Sequence, residues 1–105
     1  MRGVLQVYHS KLKSKELDAL FEAVLSLKSE EECYMFFEDL CTVAELSAIS
    51  QRYKVAQMLK DGITCHAIAG KTGASTATIS RVNRCLNYGT GGYCTILERN
   101  GKKGE

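Results

Sequence analysis

The sequence predicts an all-α fold, and three observations predict it. Helix-capping signals stand just ahead of apolar residues that recur at helical spacing. Proline, which interrupts helices, is absent from all 105 residues. The 45% hydrophobic and 25% charged residues are ordinary for a single globular domain that buries one modest core.

The elements follow in chain order. Ser14 caps a first helix whose Leu17, Leu20, Phe21, Val24 and Leu25 keep the i, i+3, i+4, i+7, i+8 pattern. Ser29 and Glu32 form a capping box that opens a second helix, with Cys33, Phe36, Phe37 and Leu40 as its apolar positions. Thr42 and Glu45 repeat that signal for a third helix. Its stripe is Leu46, Ile49, Tyr53 and Ala56, closed by Met58 and Leu59, and Asp61-Gly62 ends it. Thr64 caps a short helix that ends near Lys71, Gly73 makes a turn, and Ser75 caps a helix that Gly89 stops after Tyr88. Beyond it, Tyr93 to Arg99 fits either a short helix or an extended docking segment, and the last six residues are expected to lack fixed structure.

Charge is unevenly placed. Residues 1–50 carry five Lys/Arg against nine Asp/Glu, and residues 51–105 carry nine against three. Between Arg52 and Arg84 stands a single acid, Asp61. A positive half of this kind points to a polyanion as partner.

The stretch from Cys65 to Arg84 supplies a geometry for that partner. Two short helices meet at Gly73, with Ile68 and Ala69 in the first and Ile79 and Val82 in the second, which is the layout of a helix-turn-helix. Ala69 leaves room for the crossing helix, and Gly73 admits a positive φ. Ile79, Val82 and Leu86 form the packing stripe of the second helix, which leaves Ser75, Thr76, Ala77, Ser80, Arg81 and Arg84 facing out. Short side chains at the helix start allow close entry into a major groove. Hydroxyls and first-turn N–H groups donate to phosphates, methyl groups meet thymine methyls, and the arginines neutralise phosphate or read guanine. With Lys71 at the end of the preceding helix, these seven residues are the expected contacts to double-stranded DNA.

From "CTVAELSAISQRYKVAQMLKDG" through "TCHAIAGKTGASTATISRVNRCLNYG" the chain resembles the Trp repressor superfamily, and most of all its YerC/YecD branch of small bacterial proteins. The strings "GASTATISRVN" and "NYGTGGY" carry the resemblance most specifically. It implies an intertwined helical homodimer with one helix-turn-helix per subunit, acting as a transcriptional regulator. A dimer also suits the first three helices, which hold more apolar surface than so short a chain can hide. The organisation expected is an N-terminal arm over 1–13, a helical dimerisation and helix-turn-helix domain over 14–89, and a C-terminal segment over 90–105, partly without fixed structure.

The resemblance also implies an effector pocket. Thr42, Arg52 and Arg81 match the repressor's residues around its ligand, whereas Cys85 replaces an expected serine and Val82 a glycine that leaves room for the indole. Overpacking by three added carbons costs about 1–3 kcal/mol. Tryptophan is therefore not the expected ligand, and another small effector is allowed.

Other classes find less support. No P-loop, paired carboxylates or metal motif is present, and His66 adjoins Cys65 on a helix, where neighbours point about 100° apart and cannot pair as base and nucleophile. His9 lies in the terminal arm. The five cysteines lack a C-x-x-C pair and read as reduced apolar side chains, so neither a metal nor a cofactor is expected. The opening "MRGVLQVYHS" is too short in its apolar run for a signal peptide or membrane span, which suggests a cytoplasmic protein. The alternative to DNA recognition is a docking module for protein or RNA, with Glu30, Glu31, Glu32, Glu38 and Asp39 as an acidic face.

Overall fold

The computed structural model describes residues 8–101. Six helices and no strand occur among them: α1 (Lys15–Leu25), α2 (Glu30–Leu40), α3 (Val43–Lys60), α4 (Cys65–Thr72), α5 (Thr76–Tyr88) and α6 (Gly92–Gly101). They divide into two compact units, Met1–Leu40 and Cys41–Glu105. Most of the arm expected over 1–13, along with residues 102–105, lies outside the described residues.

The first unit forms its helices by local chemistry. Ser14 Oγ accepts from the Leu17 N–H at 3.1 Å and starts α1. At α2, Ser29 Oγ accepts from the Glu32 N–H, but the returning Glu32 carboxylate takes the Lys28 N–H at 2.8 Å instead of that of Ser29. The box expected there is thus completed one residue earlier, and it still satisfies an amide ahead of the helix. The apolar stripes form as expected, yet α1 and α2 contain no buried residue. Phe21, Leu25, Tyr34 and Met35 are exposed. Phe36 and Phe37 meet edge to face with centroids 5.5 Å apart.

The second unit holds the core. Val55, Ala56 and Met58 of α3, Ile68 of α4, Ala74 of the turn, Ile79 and Val82 of α5 and Leu97 of α6 are buried together. Tyr53, Leu59, Ile63, Ala69, Leu86 and Tyr93 pack partly buried around them. The stripe expected along α3 is therefore buried only in its second half, because α4, α5 and α6 cover that end; Val43 and Ile49 stay exposed.

Helix ends fix the path of this unit. Thr42 and Glu45 make a reciprocal capping box at 3.1 and 2.8 Å. At the other end of α3, the Gly62 N–H donates to Leu59 O and the Ile63 N–H to Met58 O, both at 3.0 Å. That is the Schellman pattern, and it turns Ile63 back onto the core. α6 resolves the alternatives for the C-terminal segment in favour of a helix, and Asn100 and Gly101, expected to lack fixed structure, belong to it. Leu97 anchors this helix to the core, which the glycine-rich lead-in concealed.

Candidate nucleic-acid interface

The turn between α4 and α5 is braced from both sides. Gly73 takes φ +74°, a left-handed conformation that a Cβ disfavours, and its N–H closes α4 on Ala69 O at 2.9 Å. Thr72 Oγ1 donates to Ile68 O at 2.8 Å and accepts from the Ala74 N–H at 3.1 Å. Gln51 reaches over from α3, where its Nε2 donates to Thr72 O at 3.1 Å. Neither Thr72 nor Gln51 stood out in the sequence. Only the fold brings residues 51 and 72 together, so local spacing held no signal for that bond.

α5 begins at Ser75, whose Oγ accepts from the Thr78 N–H and donates to Thr78 Oγ1, each at 3.1 Å. Ser75 is thus first a structural cap, and its hydroxyl is already engaged. Ile79 and Val82 are each 1% exposed, and this burial sets the rotation of the helix. The outward face then carries Thr76, Ala77, Ser80, Arg81 and Arg84, all exposed, and Lys71 is exposed at the end of α4. Ala77, Ser80 and Arg84 stand at i, i+3 and i+7, along the centre of that face. The N–H groups of Thr76 and Ala77 lie in the first turn, which has no intrahelical acceptor for them.

Asn83 and Asn87 share the exposed side, and Asn87 Nδ2 donates to Asn83 O at 3.0 Å. The sequence reading passed over both, although they follow Ser80 and Arg84 by three residues and asparagine is an adenine-reading side chain. The electrostatics favour an anion. Among the described residues the one ion pair is Lys13–Asp18, so Lys71, Arg81 and Arg84 keep unpaired charges.

The four residues expected around an effector do not line one groove. Thr42 caps α3, Arg52 is half-buried on α3, and Arg81 is exposed on α5. Cys85 is half-buried and lines an open, largely apolar groove of about 570 Å³ with Tyr53, Tyr93 and Ile96. Thr42, Arg52 and Arg81 do not line that groove. Val82, the residue set against an indole, lies wholly inside the core.

A short helix, a left-handed glycine turn and a second helix that buries one stripe and exposes the other define a helix-turn-helix protein. The family model described as "Trp repressor protein" matches residues 15–101. The YerC protein of Bacillus subtilis, itself uncharacterised, is 60% identical over 89 residues, which are 85% of this chain and 86% of that one. The crystal structure of a TrpR-like protein from Eubacterium eligens superposes with a TM-score of 0.83 at 57% identity, covering 87% of this chain and 94% of that one. A Staphylococcus aureus structure, described as a candidate Trp repressor, gives 0.81 at 54% identity over 85% of this chain and 89% of that one. The chain belongs to the Trp repressor family and, within it, to the YerC-type Trp-repressor-like proteins. It is a helix-turn-helix protein of a DNA-binding regulator family, and that fold is not an enzyme's. Among the described residues no helix is long and apolar enough to cross a membrane.

Proposed function

We propose that the protein is a cytoplasmic, sequence-specific transcriptional regulator that binds a near-palindromic operator as a homodimer and represses by blocking polymerase. The observation that carries this reading is the outward face of α5, where short hydroxyl and methyl side chains lead into two unpaired arginines. Thr76, Ala77 and Ser80 meet base edges. Lys71, Arg81 and Arg84, with the capped start at Ser75, hold phosphates, and the arginines can also read guanine.

The uncovered apolar residues of α1 and α2 support the homodimer. Burying a side chain such as Phe21 or Leu25 contributes about 1.5–3 kcal/mol, and a second copy supplies the cover that these helices lack. Two α5 helices then lie about one DNA turn apart, ~34 Å, the general spacing of helix-turn-helix dimers.

Regulation by tryptophan is disfavoured, since Val82 already occupies core volume. Another small effector held by Thr42, Arg52, Arg81 and Cys85 would need those residues gathered, with the second subunit as a source of some of them. Selection of bound duplexes from a random pool, with and without a panel of amino acids, tests the function. One enriched motif is expected, the same in both arms. A pool that stays random overturns sequence-specific recognition, and binding that survives loss of both Arg81 and Arg84 favours a protein- or RNA-docking surface instead.

A further inference from the structure

A second open groove, of about 690 Å³, runs between α3 and the end of α4. One wall is a stripe of α3 that includes Ser47, Ser50, Gln51 and Lys54, at i, i+3, i+4 and i+7. The other is Lys71 and Thr72, in the last turn of α4. The α3 stripe presents no carboxylate until Asp61, at its far end.

The two lysines approach this groove from opposite walls, and neither makes an ion pair. Like charges on facing walls repel, and an anion between them reverses the sign of the interaction. The Gln51–Thr72 bond spans the same groove, so its floor is tied to the turn that sets α5. The first helix of a helix-turn-helix crosses the DNA backbone as the second enters the groove. A groove at the end of α4 is therefore beside a phosphate strand, and a lysine ammonium suits a phosphate as a point charge.

We propose that this groove seats a backbone phosphate beside the bases met by α5, clamped between Lys54 of α3 and Lys71 of α4. The proposal rests on the DNA-binding reading above and adds α3 to the footprint. Phosphate contacts fix register and carry no base information, so Lys54 sets affinity and salt dependence without choosing sequence.

The test is an anisotropy titration of the full chain on its selected duplex and on a scrambled one, over a salt series. Lys54→Gln is expected to weaken both complexes about five- to tenfold near ~0.1 M salt and to lower the slope of log K against log salt by about 1.8, about 0.9 for each copy in the bound dimer. The double variant Lys54→Gln/Lys71→Gln should lower it by about twice that, and Lys54→Arg should restore the wild-type slope. If wild type binds and Lys54→Gln matches it in affinity and slope, the groove is away from the DNA and this inference falls alone. Weakening on the selected duplex only, with an unchanged slope, overturns it as well. If wild type binds neither duplex, the DNA-binding reading falls first and takes the clamp with it.

Discussion

Arg84 and Thr76 share the exposed face of α5, and the proposed function gives them different tasks. Arg84→Ala is expected to weaken binding to every duplex and to reduce the salt slope by about 2, about 1 for each copy in the dimer, read by titration at several salt concentrations. Thr76→Val keeps a methyl and removes a hydroxyl, so it should shift the preferred base in a selection experiment while the slope holds. The rotation that exposes both was legible in the sequence, because Ile79, Val82 and Leu86 leave a single side free. Asn83 and Asn87, on that same side, are neither short hydroxyl residues nor bases, so the pattern that marks the rest of the face does not mark them. Two glycines matter for different reasons. At Gly73 a Cβ meets no atom, so Gly73→Ala costs only the left-handed strain, about 1–2 kcal/mol in urea unfolding. At Gly89 the backbone is extended, but a Cβ would collide with Cys85 O. Gly89→Ala must therefore displace the end of α5, and a larger loss of stability than for Gly73→Ala is expected in the same assay.

At the scale of elements, helix starts were the most legible feature. Ser14, Thr42, Thr64 and Ser75 each accept from the N–H three residues on, as their sequence context predicted. A cap is a local device, and its chemistry needs no knowledge of the fold. Thr42→Ala removes one arm of the box at α3 and leaves the other, since Glu45 still reaches the residue-42 N–H; a loss of about 1 kcal/mol is expected by urea unfolding. What covers an element was less legible. The buried half of α3, the anchoring of α6 by Leu97 and the burial of Ala74 depend on which elements pack there, and no periodicity within one segment encodes that. Ile68, fully buried at the centre of this packing, ties α4 to α3 and α5. Ile68→Ala should cost about 2–5 kcal/mol and loosen the angle of α5, so DNA affinity falls even where the protein stays folded.

At the scale of the whole molecule, the proposed function needs two copies of the chain. The surplus of apolar residues in the first three helices was legible in the sequence, and Phe21, Leu25, Tyr34, Met35 and Val43 indeed stay exposed in a single chain. The dimer predicts a melting temperature that rises with protein concentration, since association draws on the folded state. Leu25→Glu should abolish that rise, and sedimentation would show the mass fall to one chain or the fold lost. The arrangement of two recognition helices in the proposed homodimer is not legible in the sequence, because symmetry between subunits leaves no pattern within one chain. The most direct measurement is hydroxyl-radical footprinting of the full chain on its selected duplex. Two protected patches related by two-fold symmetry are expected, with centres about 10–10.5 base pairs apart. A single patch, or protection that tracks no sequence, would contradict the proposed function.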